Sequence, residues 1–172
     1  MEEPELVEQL IGEARAAGNE PIDFLQCVPP AEVIQTRGGR RSKLALALEQ
    51  MGFETWDAVD ERIREEFPRS PNAFRVLQYE SSRGLEGWTT VLEAFDAAWD
   101  YKYRQRLGQL TSEHERVTDP THTAAQAAWR WCMIPLTRPI DTLVIALADD
   151  ESPLAEVVLK AGQEHEDFVE IR

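Results

Sequence analysis

Short apolar runs, several of them closed by glycine, proline or paired acids, alternate along this chain with longer segments whose apolar residues recur at helical spacing. Residues 22–28, 32–36, 53–59, 74–79, 89–95, 140–147 and 168–171 make the short runs; residues 3–17, 42–51, 58–67, 96–107, 121–136 and 153–162 carry the helical period. A strand that is apolar on both faces must be covered on both, and crossover helices between parallel strands supply that cover. The alternation therefore predicts an α/β fold with a mainly parallel sheet. Residues 140–147, bounded by Pro139 and by Asp149-Asp150, read as the clearest buried strand.

Local punctuation divides the chain further. Leu6, Leu10, Ile11 and Ala14 make an amphipathic helix closed by Gly18-Asn19, so residues 1–19 read as an N-terminal helix ahead of one domain over residues 20–172. Pro29-Pro30 separates the first two strand runs, and the pattern allows either to be the central strand. After a Gly38-Gly39 turn, Leu44, Leu46, Ala47, Leu48 and Met51 make a helix that ends at Gly52. Residues 108–120 read as a surface loop.

Length and charge bound the function. A chain of 172 residues with 42% hydrophobic composition and five Trp can bury one sizeable core. Its net charge of −14 sits at the ends: residues 1–36 carry eight acids against Arg15, and residues 141–172 carry nine against Lys160 and Arg172. Such a surface repels nucleic acid at long range, so contact with it must come from a local basic strip or a partner domain. Arg37, Arg40, Arg41 and Lys43 form the best strip. Cys27 and Cys132, without CxxC spacing, suggest neither a disulfide framework nor a zinc site, and a reducing cytoplasm fits them. The acidic N-terminus is unlike a signal peptide, and no run of eighteen apolar residues predicts a membrane span.

Two stretches carry chemistry. In Gln78-Tyr-Glu-Ser-Ser-Arg-Gly-Leu-Glu-Gly-Trp88, a polar turn between strand runs, small residues let backbone amides approach an anion and Arg83 and Glu86 can point at a ligand. A capped loop is the plainer reading. In Met133-Ile-Pro-Leu-Thr-Arg-Pro-Ile-Asp-Thr-Leu-Val-Ile145, Arg138 stands between an apolar helix and a strand run. There its planar guanidinium either recognises phosphate or neutralises the helix C-terminus.

In this order, about fifty residues apart, the two stretches resemble motifs V and VI of UvrD/Rep-type superfamily 1 helicases. Motif V is a polar stretch, a basic residue and Gly-Leu-Glu; motif VI is Leu-Thr-Arg before a hydrophobic strand. Residues 33–49, with Gly39-Arg-Arg-Ser-Lys-Leu-Ala-Leu-Ala-Leu48, are similar to motif IV. The resemblance covers roughly residues 20–150. It implies the second, C-terminal motor domain of such an enzyme, a RecA-like three-layer domain of the P-loop NTPase type. Its implied partners are a first motor domain, which supplies the phosphate loop and magnesium ligands for ATP, and single-stranded DNA. Arg138 then matches the arginine that reaches the γ-phosphate, Arg40 or Arg41 the motif IV arginine, and Glu86 the acid near the nucleotide sugar. Arg83 and Gly84 belong to the same ATP-side turn, and Ser81, Ser82 and Trp88 to the nucleic-acid track.

Departures accompany the likeness. Glu80 lies near a position where the family has a strand-facing His, and Pro135 and Pro139 flank Leu-Thr-Arg where Ala is common. No GxxxxGK occurs, so ATP and Mg2+ are expected only once a first motor domain completes the site, and the chain alone is expected to hydrolyse nothing. The alternative is a stand-alone domain that binds nucleic acid or protein without catalysis. His114, His122 and His165 are isolated and suggest no metal site. The acidic stretch 57–61 reads as a helix start, Trp129 and Trp131 as core residues rather than a base-stacking platform, and residues 164–167 as a solvated end. On this reading, Arg40-Arg41, the turn from Arg83 to Glu86 and Arg138 gather along one edge of the sheet.

Overall fold

The computed structural model describes residues 3–112 and 119–171. Helix α1 (Glu3–Ala16) buries Ile11 and Ala14, and it stops where Gly18 turns to a φ of 87° and the Asn19 N–H donates to the Ala14 carbonyl at 2.9 Å. Strand β1 (Phe24–Val28) is buried at all five positions. Pro29 and Pro30 end it, and β2 (Val33–Thr36) and β3 (Gly39–Ser42) follow as an antiparallel hairpin outside the main sheet. Gly39, at a φ of 126°, lies so close to Asp60 and Arg62 that a Cβ would collide with both.

Ser42 caps α2 (Lys43–Gln50) by accepting from the Ala45 N–H at 3.0 Å. Strand β4 (Glu54–Asp57), the single turn α3 (Glu61–Arg64), the buried β5 (Ala73–Gln78), a 3-10 turn over Tyr79–Ser82 and β6 (Gly87–Leu92) come next. Helices α4 (Phe95–Ser112) and α5 (Pro120–Leu136) pack on each other, and α5 starts on an Asp119 cap with Pro120 at its first position. Strand β7 (Pro139–Ile145) and α6 (Pro153–Glu164) complete the order.

The five sheet strands run parallel in the order β4-β5-β1-β6-β7. Alternate residues feed two cores. Phe24, Val28, Phe74, Val76 and Val91 pack with Ile11, Ala14, Ala45 and Leu48 of α1 and α2. Leu25, Cys27, Leu77 and Leu92 pack with Phe95, Ala98, Cys132 and Leu154 of α4, α5 and α6. Each fully buried large apolar side chain stabilises this arrangement by about 1.5–3 kcal/mol. The result is a three-layer α/β domain, compatible with a RecA-like layering. No helix among the described residues is long and apolar enough to cross a membrane.

Several elements depart from the sequence expectations, each for a physical reason. Residues 140–147 are not the buried strand: β7 is the edge strand, with Ile140 60% exposed and Leu143 38% exposed. The second run, residues 32–36, forms a hairpin arm, because Gly38 and Gly39 return the chain on itself before it can reach the sheet. Helix α3 keeps only one turn of the expected 58–67, since Ile63 is exposed and a short helix without a buried face does not propagate. Helix α4 continues through residues 108–112, part of the expected loop; residues 113–118 lie outside the described residues. Residues 168–171 form no strand; Val169 and Ile171 instead lie against the bare Cα of Gly162.

Candidate functional site

Parallel strands give the sheet two unlike rims, one where strands begin and one where they end. Arg40 and Arg41 stand at the carboxyl rim. Arg41 donates through Nε to Asp57 at 2.8 Å and through Nη2 to Glu49 at 2.5 Å; Asp57 is buried and also accepts the Ser42 N–H at 2.9 Å. Arg40 donates its backbone N–H to Asp60 at 2.9 Å and its Nη2 to the Gln78 carbonyl oxygen of the side chain at 2.9 Å. Asp60 caps α3 and receives Arg62 as well. The Arg62 side chain, then the backbone N–H groups of Arg40 and Arg62, hold the Asp60 carboxyl well below the usual carboxylate range. Two acids of the stretch 57–61 thus clamp the hairpin to the strand ends.

From Tyr79 the chain crosses from the carboxyl rim to the amino rim before β6 begins. Ser82 is fully buried, and its hydroxyl donates to the Tyr79 carbonyl at 2.8 Å; Ser81 receives a hydrogen bond from Arg64. Neither serine is presented as an open contact. Glu80 pairs with Lys102 at 3.7 Å, and the Lys102 ammonium lies 4.5 Å from the Trp131 ring centroid. Trp129, by contrast, packs on Phe95 and Trp99 in the core, so the two neighbouring indoles divide between surface and interior.

Arg83, Gly84, Glu86 and Trp88 are exposed on the way to and at the start of β6, with Gly84 at a φ of 81° and Leu85 packed into the core below. Arg138 reaches the same rim from α5. The Gly87 N–H donates to the Arg138 carbonyl at 3.2 Å, Gly87 is paired with Pro139, and a bulge at Trp88 follows. Gly87 has no room for a side chain: a Cβ would lie 2.7 Å from the Leu25 Cβ. The half-buried Arg138 guanidinium donates through Nε to the Ile134 carbonyl at 3.0 Å and through Nη2 to the Thr137 hydroxyl at 2.8 Å. A guanidinium has five N–H donors, so these two bonds orient it on its helix end and leave the others for a ligand.

Glu86 and Arg138 therefore share the amino rim, whereas Arg40 and Arg41 lie at the opposite one and do not join them. Reading the sequence missed Arg75, in the middle of β5, whose Nη2 donates to the Glu86 carbonyl at 2.9 Å although the residue is only 8% exposed. Its signal was a lone cation in an otherwise apolar strand run. Burial also pushes the Cys27 and Cys132 thiols up to about 12. Of the histidines, His122 is exposed in the first turn of α5, His165 stacks on Phe168 with ring centroids 5.3 Å apart, and His114 lies outside the described residues. No group of three or more His, Cys, Asp or Glu side chains gathers in metal-binding geometry among the described residues.

The architecture defines the class: a three-layer domain on a parallel sheet, with the segments that carry Glu86 and Arg138 hydrogen-bonded to each other where two neighbouring strands begin. Comparison with family models, with curated proteins and with solved structures gave no match.

Proposed function

We propose that this chain is the second motor domain of a UvrD/Rep-type superfamily 1 helicase, and that its amino rim faces ATP held by a first motor domain. The observation that carries the reading is the meeting of the two motif-like segments: they lie about fifty residues apart in sequence, yet Gly87 hydrogen-bonds to Arg138 at 3.2 Å. The residues there fit half of a nucleotide site. Arg138 retains donors for charge on phosphoryl oxygens, Glu86 offers an exposed carboxylate to sugar hydroxyls, and Arg83 adds an exposed cation. ATP with magnesium supplies the phosphoryl group when bound, and the phosphate loop must come from the partner domain. Trp88 at the bulge is the residue of the rim suited to stacking on single-stranded DNA.

The test is ATP hydrolysis by this chain assembled with a first motor domain that carries a phosphate loop. Hydrolysis stimulated by single-stranded DNA, lost in Arg138→Ala, supports the reading; hydrolysis indifferent to Arg138 counts against it. One observation favours a second reading, a stand-alone binding domain: Arg40, Arg41 and Arg138 all have protein partners already. That reading calls for single-stranded DNA or protein binding by the chain alone, with no gain of turnover in the assembly.

A further inference from the structure

Arg75 is an anomaly that the motif-like segments do not explain. It occupies the third position of β5, in register with Leu25 of β1 and Trp56 of β4, on the core face beneath α4 and α5. Its neighbours on that face of the strand are Ala73 and Leu77. Only 8% of the residue is exposed, its Nε has no hydrogen-bond partner among the described residues, and the carboxylate that acts on it, Asp23, does so through charge without a hydrogen bond. Burial lowers its pKa, and Asp23 opposes that only as a more distant charge. A guanidinium placed so is costly, and an apolar side chain of similar volume would serve the core at least as well. What the charge does accomplish is a single bond, from Nη2 to the Glu86 carbonyl at 2.9 Å.

That bond lands at the one point where position matters most for the amino rim. Glu86 presents its side chain to solvent, its carbonyl is held by Arg75, and the next N–H, of Gly87, is held by the Arg138 carbonyl. The turn from Arg83 to Glu86 has few other holds: Leu85 packs into the core and donates its N–H to the Ser82 carbonyl at 3.0 Å, but Gly84 sits at positive φ with open space around it, and the Arg83 and Glu86 side chains are exposed. We propose that Arg75 is a positioning residue, a buried strut that fixes the Arg83–Glu86 turn against Arg138 at the expense of core stability. This inference deepens the proposed function and rests on it only for the consequence in nucleotide use.

The experiment compares wild type, Arg75→Met and Arg75→Lys. Methionine fills similar space without the charge, so a strut predicts a melting temperature equal to or above wild type together with amide exchange at Gly87 faster by on the order of tenfold. Lysine, which can still donate to the Glu86 carbonyl, should restore part of that protection. Unchanged Gly87 exchange in Arg75→Met, or a drop in melting temperature large enough for global unfolding to account for the faster exchange, overturns the strut. These measurements use the chain alone and stand whatever its reaction. In the two-domain assembly, Arg75→Met should raise KM for ATP severalfold with kcat nearly kept; if the wild-type assembly hydrolyses nothing, it is the helicase reading that fails, and the exchange result still decides the strut.

Discussion

At the carboxyl rim, Arg41 lies between Asp57 and Glu49 and Arg40 lies on Asp60 and Gln78; at the amino rim, Arg83 stands exposed and the Arg138 side chain hydrogen-bonds the end of its own helix. Both rims are arginine-bearing turns beside glycines, and in the sequence they look alike. The difference lies in what meets the charge. Carboxylates that come from elsewhere in the chain turn the first pair into fastenings for the β2–β3 hairpin, whereas carbonyl and hydroxyl oxygens orient Arg138 without cancelling its charge.

The largest effect expected of a single change tests the open side of that contrast. On the proposed motor-domain reading, Arg138→Ala should lower turnover of the two-domain assembly by on the order of a thousandfold with nucleotide affinity changed much less. The helix-end bonds alone predict instead a stability loss of about 0.3–1 kcal/mol and normal single-turnover hydrolysis, so melting and hydrolysis measured on the same variant separate the two. Asp57→Ala strikes the closed side. It removes a buried acceptor shared by Arg41 and the Ser42 N–H, and denaturant unfolding should show a loss of about 2–4 kcal/mol, tempered by the partial exposure of Arg41. A loss below that of an ordinary surface pair would mean that the hairpin is not fastened there.

Gly87→Ala should cost about 1–3 kcal/mol through overpacking against Leu25, and the same melts report it. Acid should then loosen the carboxyl rim before the amino rim. The folded Asp60 carboxyl is held below its unfolded value, so its contribution is fully present above about pH 4 and is lost as pH falls toward the folded value. Hairpin amides that lose exchange protection on acidification, and an Asp60→Asn variant whose hairpin no longer responds, are the expected results. Smallest of all, Arg83→Ala should leave stability within about 0.5 kcal/mol, because an exposed side chain without a partner contributes little. A larger loss would erase the contrast between the rims.

Much of the layering was legible in advance because it depends on nearest neighbours along the chain. The helical period of residues 121–136 and the largely apolar character of residues 74–79, broken by Arg75 and Gln78, name α5 and β5 without reference to any distant residue. The same logic failed at β7, whose run of Ile, Leu and Val is as apolar as that of β1 although one lies at the edge and the other at the centre. Apolar composition reports that a strand can be buried; the number of strands beside it decides whether it is. For the candidate site, Glu86 and Arg138 stood out because each follows a recognisable local pattern. Arg75 did not, since its partner is a backbone carbonyl eleven residues away across a turn.

What the sequence by itself determined is therefore the alternation of strands and helices, their caps and stops, and the presence of cations at two glycine-bearing turns. Each follows from interactions within a few residues: a serine beneath Ala45, a proline at the start of α5, a glycine free to adopt positive φ. Only the tertiary structure decided which strand is central, which arginines are neutralised, and that the segments of Glu86 and Arg138 share one rim while Arg40 and Arg41 stand at the far one. Those outcomes depend on strand order, and strand order is set by how two whole helical layers cover one sheet, a choice to which no short stretch of sequence is party.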